Sequence, residues 1–204
     1  MALFALKEHQ LDALMEISNI GVGHAATAFS QLLGTRVDIR VPDVAITDIS
    51  EVPDKLGGAD KPVVLMFLKM LGDAEGDLVV IFPKESADKM VAMLLKQDVS
   101  EIDIFTEMAQ SALREVGNIL ASAYLSALGS ILNLSLIPST PNVAYDMLGA
   151  AIDTALMDIG RSGDKALMIE TEMFIKDEEL KGSFFLMPDP ASIDVLLSIL
   201  GQDN

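Results

Sequence analysis

Two acid–amide pairs are the residues of this sequence whose types and spacing could do chemistry. Glu16 and Asn19 lie three positions apart, and Glu115 and Asn118 repeat that spacing 99 residues later. On a helix, residues at i and i+3 project from the same side. A carboxamide can accept a hydrogen bond from water and donate one to a phosphoryl oxygen, and a carboxylate can pair with a cation. Each pair therefore predicts a surface that orients water.

Covalent and metal-dependent chemistry are poorly supported by the remaining residues. The chain has no cysteine and only two histidines, His9 and His24, and no Ser-His-Asp arrangement is evident. We therefore expect no cofactor of its own. A metal hydrolase built on His24 is an alternative, but further ligands are missing. Oriented water suits an acyl phosphate, whose leaving group is good and for which positioning does most of the work.

The two pairs lie in long stretches of helical periodicity, residues 11–32 and 110–132. Opposite the apolar side of each stretch we expect a row of mostly small residues, here named the first and second stripe. The first stripe is Asp12, Glu16, Asn19, Gly23, Thr27 and Ser30, and the second is Ser111, Glu115, Asn118, Ser122, Ser126 and Gly129. Small side chains let another surface come close. Each stripe therefore predicts a docking face from which two polar side chains, the acid and the amide, project.

A single Glu-x-x-Asn on a helix is normally a solvated surface pattern. Asn is also a poor helix former, so its recurrence in mid-helix costs some stability twice. Duplication of one ancestral half could preserve it passively. The doubled pairs within matched stripes favour a functional role over this alternative.

An internal repeat organises the whole chain. Each half has a long helix, a strand, a variable segment, two strands and a short helix. We predict an α/β (α+β) fold, a single pseudo-two-fold domain over residues 1–204 built from duplicated halves at about 8–98 and 104–201, with one six-stranded sheet. The strand candidates are 35–41, 63–71, 77–82, 134–137, 166–175 and 183–187. The variable segment differs between the halves, because residues 144–159 have helical spacing whereas residues 51–60 form a glycine-containing loop.

Composition limits the partners. Half of the residues are hydrophobic and the formal net charge is −17. Nucleic acid and anionic membranes would be repelled, whereas a protein partner with a basic rim is compatible. No apolar run is long enough to span a bilayer. We expect no nucleic-acid or membrane partner and a cytoplasmic location.

The segments from Glu16 to Asn19 and from Glu115 to Asn118 resemble the two signature helices of the CheC/CheX/FliY family of chemotaxis phosphatases. The resemblance covers essentially the whole chain. It implies a continuous, mainly antiparallel sheet with the two long helices packed side by side. It also implies hydrolysis of the aspartyl phosphate of the response regulator CheY, with both Asn residues orienting water and both Glu residues contacting the regulator's lysine. The Mg²⁺ would be supplied by the phosphorylated regulator.

The same resemblance implies binding to the receptor deamidase CheD through Tyr145, Asp146, Met147 and Leu148, in a hetero-complex of an otherwise monomeric chain. Residues 143–150 break the internal symmetry, which is consistent with a separate partner. Met147 and Leu148 could equally be core residues. A non-catalytic module that sequesters phosphorylated CheY or CheD is the alternative function. It would tolerate loss of the two amides, whereas a phosphatase would not.

Overall fold

A computed structural model describes residues 8–159, 165–175 and 178–200. The helices are α1 Glu8–Leu33, α2 Val52–Lys55, α3 Lys84–Leu95, α4 Glu107–Leu132, α5 Leu148–Ile159 and α6 Pro190–Leu200. The strands are β1 Val37–Arg40, β2 Val44–Asp48, β3 Pro62–Gly72, β4 Gly76–Pro83, β5 Leu136–Pro138, β6 Asn142–Met147, β7 Lys165–Ile175 and β8 Glu178–Pro188. The mixed α/β architecture is therefore confirmed.

All described strands join one antiparallel sheet in the order β1-β7-β8-β4-β3-β5, with β2 also paired to β7 and β6 to β3. The sheet has eight strands and not the predicted six. It is nevertheless six strands wide, because each edge consists of two short strands in succession. The breaks contain Pro42 and Pro141, which cannot donate to a ladder and which lie 99 residues apart.

Each half supplies the edge of the other half's hairpin. The β1–β2 edge pairs with β7 of the second half, and the β5–β6 edge pairs with β3 of the first. The two hairpins meet at the centre, where β4 pairs with β8. In neither half, therefore, do the edge strands pair with the hairpin of the same half.

The sheet is buried on both faces near its centre, and β3 shows how. Val64, Met66 and Leu68 point into the larger core, which lies under α1 and α4. Val63 and Leu65 point to the opposite face, into a smaller core that includes residues of α2 and α5. Strands buried on both sides have nearly continuous apolar sequences, as this one has.

The long helices α1 and α4 pack side by side, as expected. A Cβ atom added at Gly21 of α1 would lie 3.0 Å from the Cα atom of Tyr124 of α4, so the backbones approach closely at this point. Thr106 caps α4 by accepting a hydrogen bond from the Ala109 amide at 3.3 Å. Asn133 ends the helix in the left-handed conformation, with φ 55°.

Helix α4 is long and apolar enough to cross a membrane by length and composition alone. Its apolar side lies in the larger core, where Leu113, Val116, Leu125 and Leu128 are almost fully buried. The core helix of a globular domain meets the same criteria.

Two further sequence predictions were wrong in detail. Residues 144–147 belong to strand β6, and the helix predicted over 144–159 begins only at Leu148. Strand β8 begins at Glu178, five residues before the predicted start. Both differences follow from pairing with β3 and β7, which extends strands beyond their apolar residues.

Candidate functional site

The first acid–amide pair, Glu16 and Asn19, is exposed on α1. Ile17 and Ser18 between them are buried, so the core fixes the rotation of the helix and turns the pair outward. The Nδ2 atom of Asn19 donates to the Met15 carbonyl at 3.0 Å. This amide therefore lies back against its own helix.

The second pair, Glu115 and Asn118, is exposed on α4, with Val116 and Gly117 buried between its members. The Oδ1 atom of Asn118 accepts a long hydrogen bond from the Ser122 hydroxyl at 3.4 Å. No backbone hydrogen bond of this amide is described. The second amide is therefore less restrained than the first.

The two stripes are mostly exposed, as the helical spacing predicts. A Cβ atom added at Gly23 in the first stripe would have no heavy atom within 4 Å, so the surface there is open. Gly129 in the second stripe is buried instead, because it packs against the Leu134 carbonyl where α4 ends. The second docking face consequently ends about one helical turn before the predicted stripe does.

Both carboxylates are solvated and without a charged partner among the described residues, so they are available to a cation on another protein. No group of three or more His, Asp or Glu residues that could hold a metal ion occurs in the described ranges. His24 is exposed and has no such set of ligands around it.

A groove of about 280 Å³ lies beside the second pair. One side is α4 and the other is the connection between β5 and β6. Its lining residues are Ser111, Arg114, Glu115, Asn118, Pro138, Ser139, Thr140 and Pro141. Arg114, Ser139 and Thr140 were missed by sequence reasoning. The recurrence of proline at positions 42 and 141 is a signal in the sequence that could have located this connection.

The wall of the groove is anchored to strand β3. The Ser139 amide donates to the Lys69 carbonyl at 2.8 Å, and the Lys69 amide donates to the Ser139 hydroxyl at 2.9 Å. Gly117 lets this wall approach α4, because a Cβ atom there would lie 3.4 Å from Pro141 Cβ and 2.8 Å from Met66 Sδ. Pro141 is buried, whereas its counterpart Pro42 is exposed.

Beneath the two helices, Tyr124 is buried against Phe184, with ring centroids 4.9 Å apart. Burial raises the pKa of its phenol well above the ordinary value, so the side chain stays neutral. It lies in the core and reaches neither pair. We assign it a packing role at the crossing with Gly21.

The four residues predicted to bind a partner are split between surface and core. Tyr145 is half-buried and packs edge-on against Phe105, with centroids 5.5 Å apart. Asp146 is exposed, and its Oδ1 atom accepts from the Met147 amide at 2.7 Å. Met147 is 50% exposed, but Leu148 is completely buried in the smaller core. Leu148 is therefore unsuitable as a contact residue, because α5 packs it against the sheet.

Comparison with known proteins places this arrangement in a family. The model of the CheC-like family matches residues 10–46 and 108–145, and each match contains one acid–amide pair and the proline of one broken edge. The chain is 40% identical to the CheY-P phosphatase CheC of Bacillus subtilis over 206 residues, covering 98% of this chain and 99% of that protein. It is 23% identical to the flagellar motor switch phosphatase FliY of Bacillus subtilis over 202 residues, or 98% of this chain and 51% of that one.

Solved structures show the same fold. The structure of Thermotoga maritima FliY matches with a TM-score of 0.79 at 19% identity, covering 98% of this chain and all of that one. A CheX structure from Desulfovibrio desulfuricans matches with a TM-score of 0.52 at 17% identity, over 84% of this chain and 99% of that one. With 40% identity to a CheC over nearly its full length, the chain belongs to the CheC-like family.

Proposed function

We propose that this chain is a phosphatase that hydrolyses the aspartyl phosphate of the chemotaxis response regulator CheY. The observation that carries the proposal is the pair of exposed Glu–Asn sites at matching positions of α1 and α4, each backed by buried residues and flanked by small ones. The relative with 40% identity is named a CheY-P phosphatase, which supports the same substrate.

The amides act by placing water. Asn19 or Asn118 accepts a hydrogen bond from a water molecule and holds it in line with the bond between phosphorus and the aspartyl oxygen. The water oxygen bonds to phosphorus, and the aspartyl oxygen leaves with the electron pair as a carboxylate. Both protons of the water stay with the released inorganic phosphate, which then exchanges them with solvent. No covalent intermediate with this chain is needed, which agrees with its lack of cysteine.

The acids act by docking. Glu16 and Glu115 are exposed carboxylates and pair with the lysine of the regulator's phosphorylation site. The Mg²⁺ that neutralises the phosphoryl oxygens would be brought by the regulator. The reaction then resembles GTP hydrolysis, in which a carboxamide orients water while a metal and cations carry the charge.

A second surface supports binding to the deamidase CheD. Met147 and Asp146 are exposed, and Tyr145 packs edge-on against Phe105, which is itself 66% exposed. Exposed apolar side chains of this kind are common in protein–protein contacts. We propose that Tyr145, Asp146 and Met147 contact CheD in a one-to-one complex with the monomer, and that Leu148 holds the segment in place from the core.

The competing proposal is a binding module that sequesters phosphorylated CheY or CheD without hydrolysis. The same stripes would serve it, and the two proposals differ only in the role of the amides. A binder needs shape and charge at the stripes, whereas a phosphatase also needs a carboxamide at positions 19 and 118.

The test is release of inorganic phosphate from phosphorylated CheY with Mg²⁺ present. Wild type should accelerate release, and the Asn19→Ala/Asn118→Ala double variant should not, while it still binds the regulator in a pull-down or titration. No acceleration by wild type, with or without CheD, would leave the sequestering module as the better description. Unchanged acceleration by the double variant would exclude water placement by the amides.

A further inference from the structure

Arg114 is the one cation among the residues that line the groove beside the second pair. It lies one helical turn before Asn118, so the two side chains project from the same side of α4. Arg114 is exposed, and its guanidinium donates a long hydrogen bond, 3.3 Å, to Gln110 Oε1. Among the described residues no carboxylate forms an ion pair with it. The guanidinium is therefore available to an anion that enters the groove.

The first site has no such group. Met15 precedes Asn19 by the same four positions and corresponds to Arg114 in the repeat. A thioether carries no charge and donates no hydrogen bond. The two sites thus share their acid and amide but differ in the residue next to the acid.

An arginine at this point matters because of the charge of the chain. The protein has 31 acidic and 14 basic residues, so it repels an approaching phosphoryl group unless a cation is placed locally. Guanidinium presents a planar fork of donors that matches phosphoryl oxygens. In other phosphoryl-transfer systems an arginine near the leaving phosphoryl group stabilises the charge of the transition state.

We propose that Arg114 contacts the phosphoryl oxygens of the aspartyl phosphate docked at the second site and stabilises them in the transition state. The inference rests on the proposed phosphatase function. Arg114 adds no bond-forming step, because the water attack described above stays unchanged and only the charge on the oxygens is compensated. The second site would then combine three groups: Glu115 for docking, Asn118 for water and Arg114 for the phosphoryl oxygens.

The experiment measures single-turnover loss of phosphate from phosphorylated CheY with Mg²⁺ and this chain in excess. It yields the maximal rate and the half-saturating concentration separately. The variants are Arg114→Met, which installs the residue of the first site, and Arg114→Lys, which keeps the charge without the fork. Arg36→Met is the matched control, since Arg36 is an exposed arginine that pairs with Asp38 at 3.1 Å and lies immediately before β1.

In an Asn19→Ala background, which leaves only the second site, Arg114→Met should lower the maximal rate about tenfold, less than a buried oxyanion donor would because the groove is open to solvent. Arg114→Lys should recover part of the loss, and Arg36→Met should match wild type. Circular dichroism melting should show all variants folded.

Three outcomes would overturn the proposal. The first is an Arg114→Met variant with the same maximal rate as wild type. The second is a rise in the half-saturating concentration with no change in maximal rate, which would assign Arg114 to docking alone. The third is an equal loss in Arg114→Met and Arg36→Met, which would reflect net charge. Failure of the wild type to accelerate phosphate loss is a different result, because it removes the proposed function itself.

Discussion

The two acid–amide sites have the same motif and different surroundings. At the first, the Asn19 side chain donates to the Met15 carbonyl of its own helix, and Pro42 in the broken edge is exposed. At the second, Asn118 makes only a long bond to Ser122, and the buried Pro141 helps form a groove wall. The wall is possible because Gly117 stands where the first helix has Ser18.

This difference shows that a repeated motif need not give two equal sites. Turning the Asn19 side chain toward a docked substrate would break its Nδ2 bond to the Met15 carbonyl, which costs about 1 kcal/mol, although its Oδ1 atom is already free to accept from water. Asn118 has only the long bond to Ser122 to exchange, and it has a formed groove and an arginine beside it. We therefore expect the second site to account for most of the turnover.

The amide variants test this ranking most directly. Asn118→Ala should lower the turnover about fivefold or more. Asn19→Ala should lower it by less than about twofold, because the second site continues to work. Phosphate release from phosphorylated CheY measures both. Equal losses in the two single variants would break the comparison, and a larger loss in Asn19→Ala would reverse it.

Gly117, beneath the second site, allows the shape of the groove to be changed without replacing the acid, the amide or Arg114. Gly117→Ala gains up to about 1 kcal/mol of helix propensity but places a methyl 2.8 Å from Met66 Sδ and 3.4 Å from Pro141 Cβ, so the crowding should leave the fold about 1–2 kcal/mol less stable and displace the groove wall. Ser18→Ala, at the corresponding place in α1, inserts no methyl into the core and removes the bond from the Ser18 hydroxyl to the Leu14 carbonyl and its interaction with the buried Tyr124 phenol. Its stability should fall by less than about 1 kcal/mol. Urea unfolding compares the two, and similar free-energy changes would show that the wall is not tightly packed.

The open surface of the first stripe can be tested at Gly23. A methyl there contacts nothing within 4 Å, so Gly23→Ala should stabilise α1 by up to about 1 kcal/mol. The methyl should also hinder docking at the first site. In an Asn118→Ala background the half-saturating concentration for phosphorylated CheY should therefore rise. An unchanged value would mean that the regulator does not approach α1 at this point.

A contact between the halves serves as a control that should affect both sites alike. Lys89 of α3 donates to Glu178 of β8 at 2.8 Å, and this bond raises the pKa of Lys89. A raised lysine pKa stabilises the fold below the unfolded-state value, near 10.4, and the effect disappears as pH rises through the folded-state value. Lys89→Met should be slightly less stable than wild type at pH 7, and the gap should close as the pH rises through the raised pKa of Lys89. Denaturant unfolding over that pH range measures the difference in stability. The ratio of the turnover at the first site to that at the second should stay constant.

The elements with strong periodicity could be predicted from the sequence. Helices α1 and α4 and the hairpin strands have long apolar patterns, and the 99-residue offset located both pairs. Strands β2 and β6 were missed because polar and apolar residues alternate only weakly in short edge strands. Their pairing with β7 and β3 joins distant parts of the chain, which local sequence patterns do not predict. The burial of Leu148 depended on which sheet face α5 covers. Arg114 was passed over because its importance comes from a loop that lies 25 residues further along the chain.

The exchange of sheet edges between the halves has a consequence for how such a chain could arise. A polypeptide with one half alone would have a hairpin without its outer strand and an edge without its hairpin. Two copies related by a two-fold axis would satisfy both needs, as in a domain-swapped dimer. Fusing the copies makes that assembly unimolecular and independent of concentration. It also frees the two halves to diverge in sequence, since a fused chain no longer has to keep two identical surfaces.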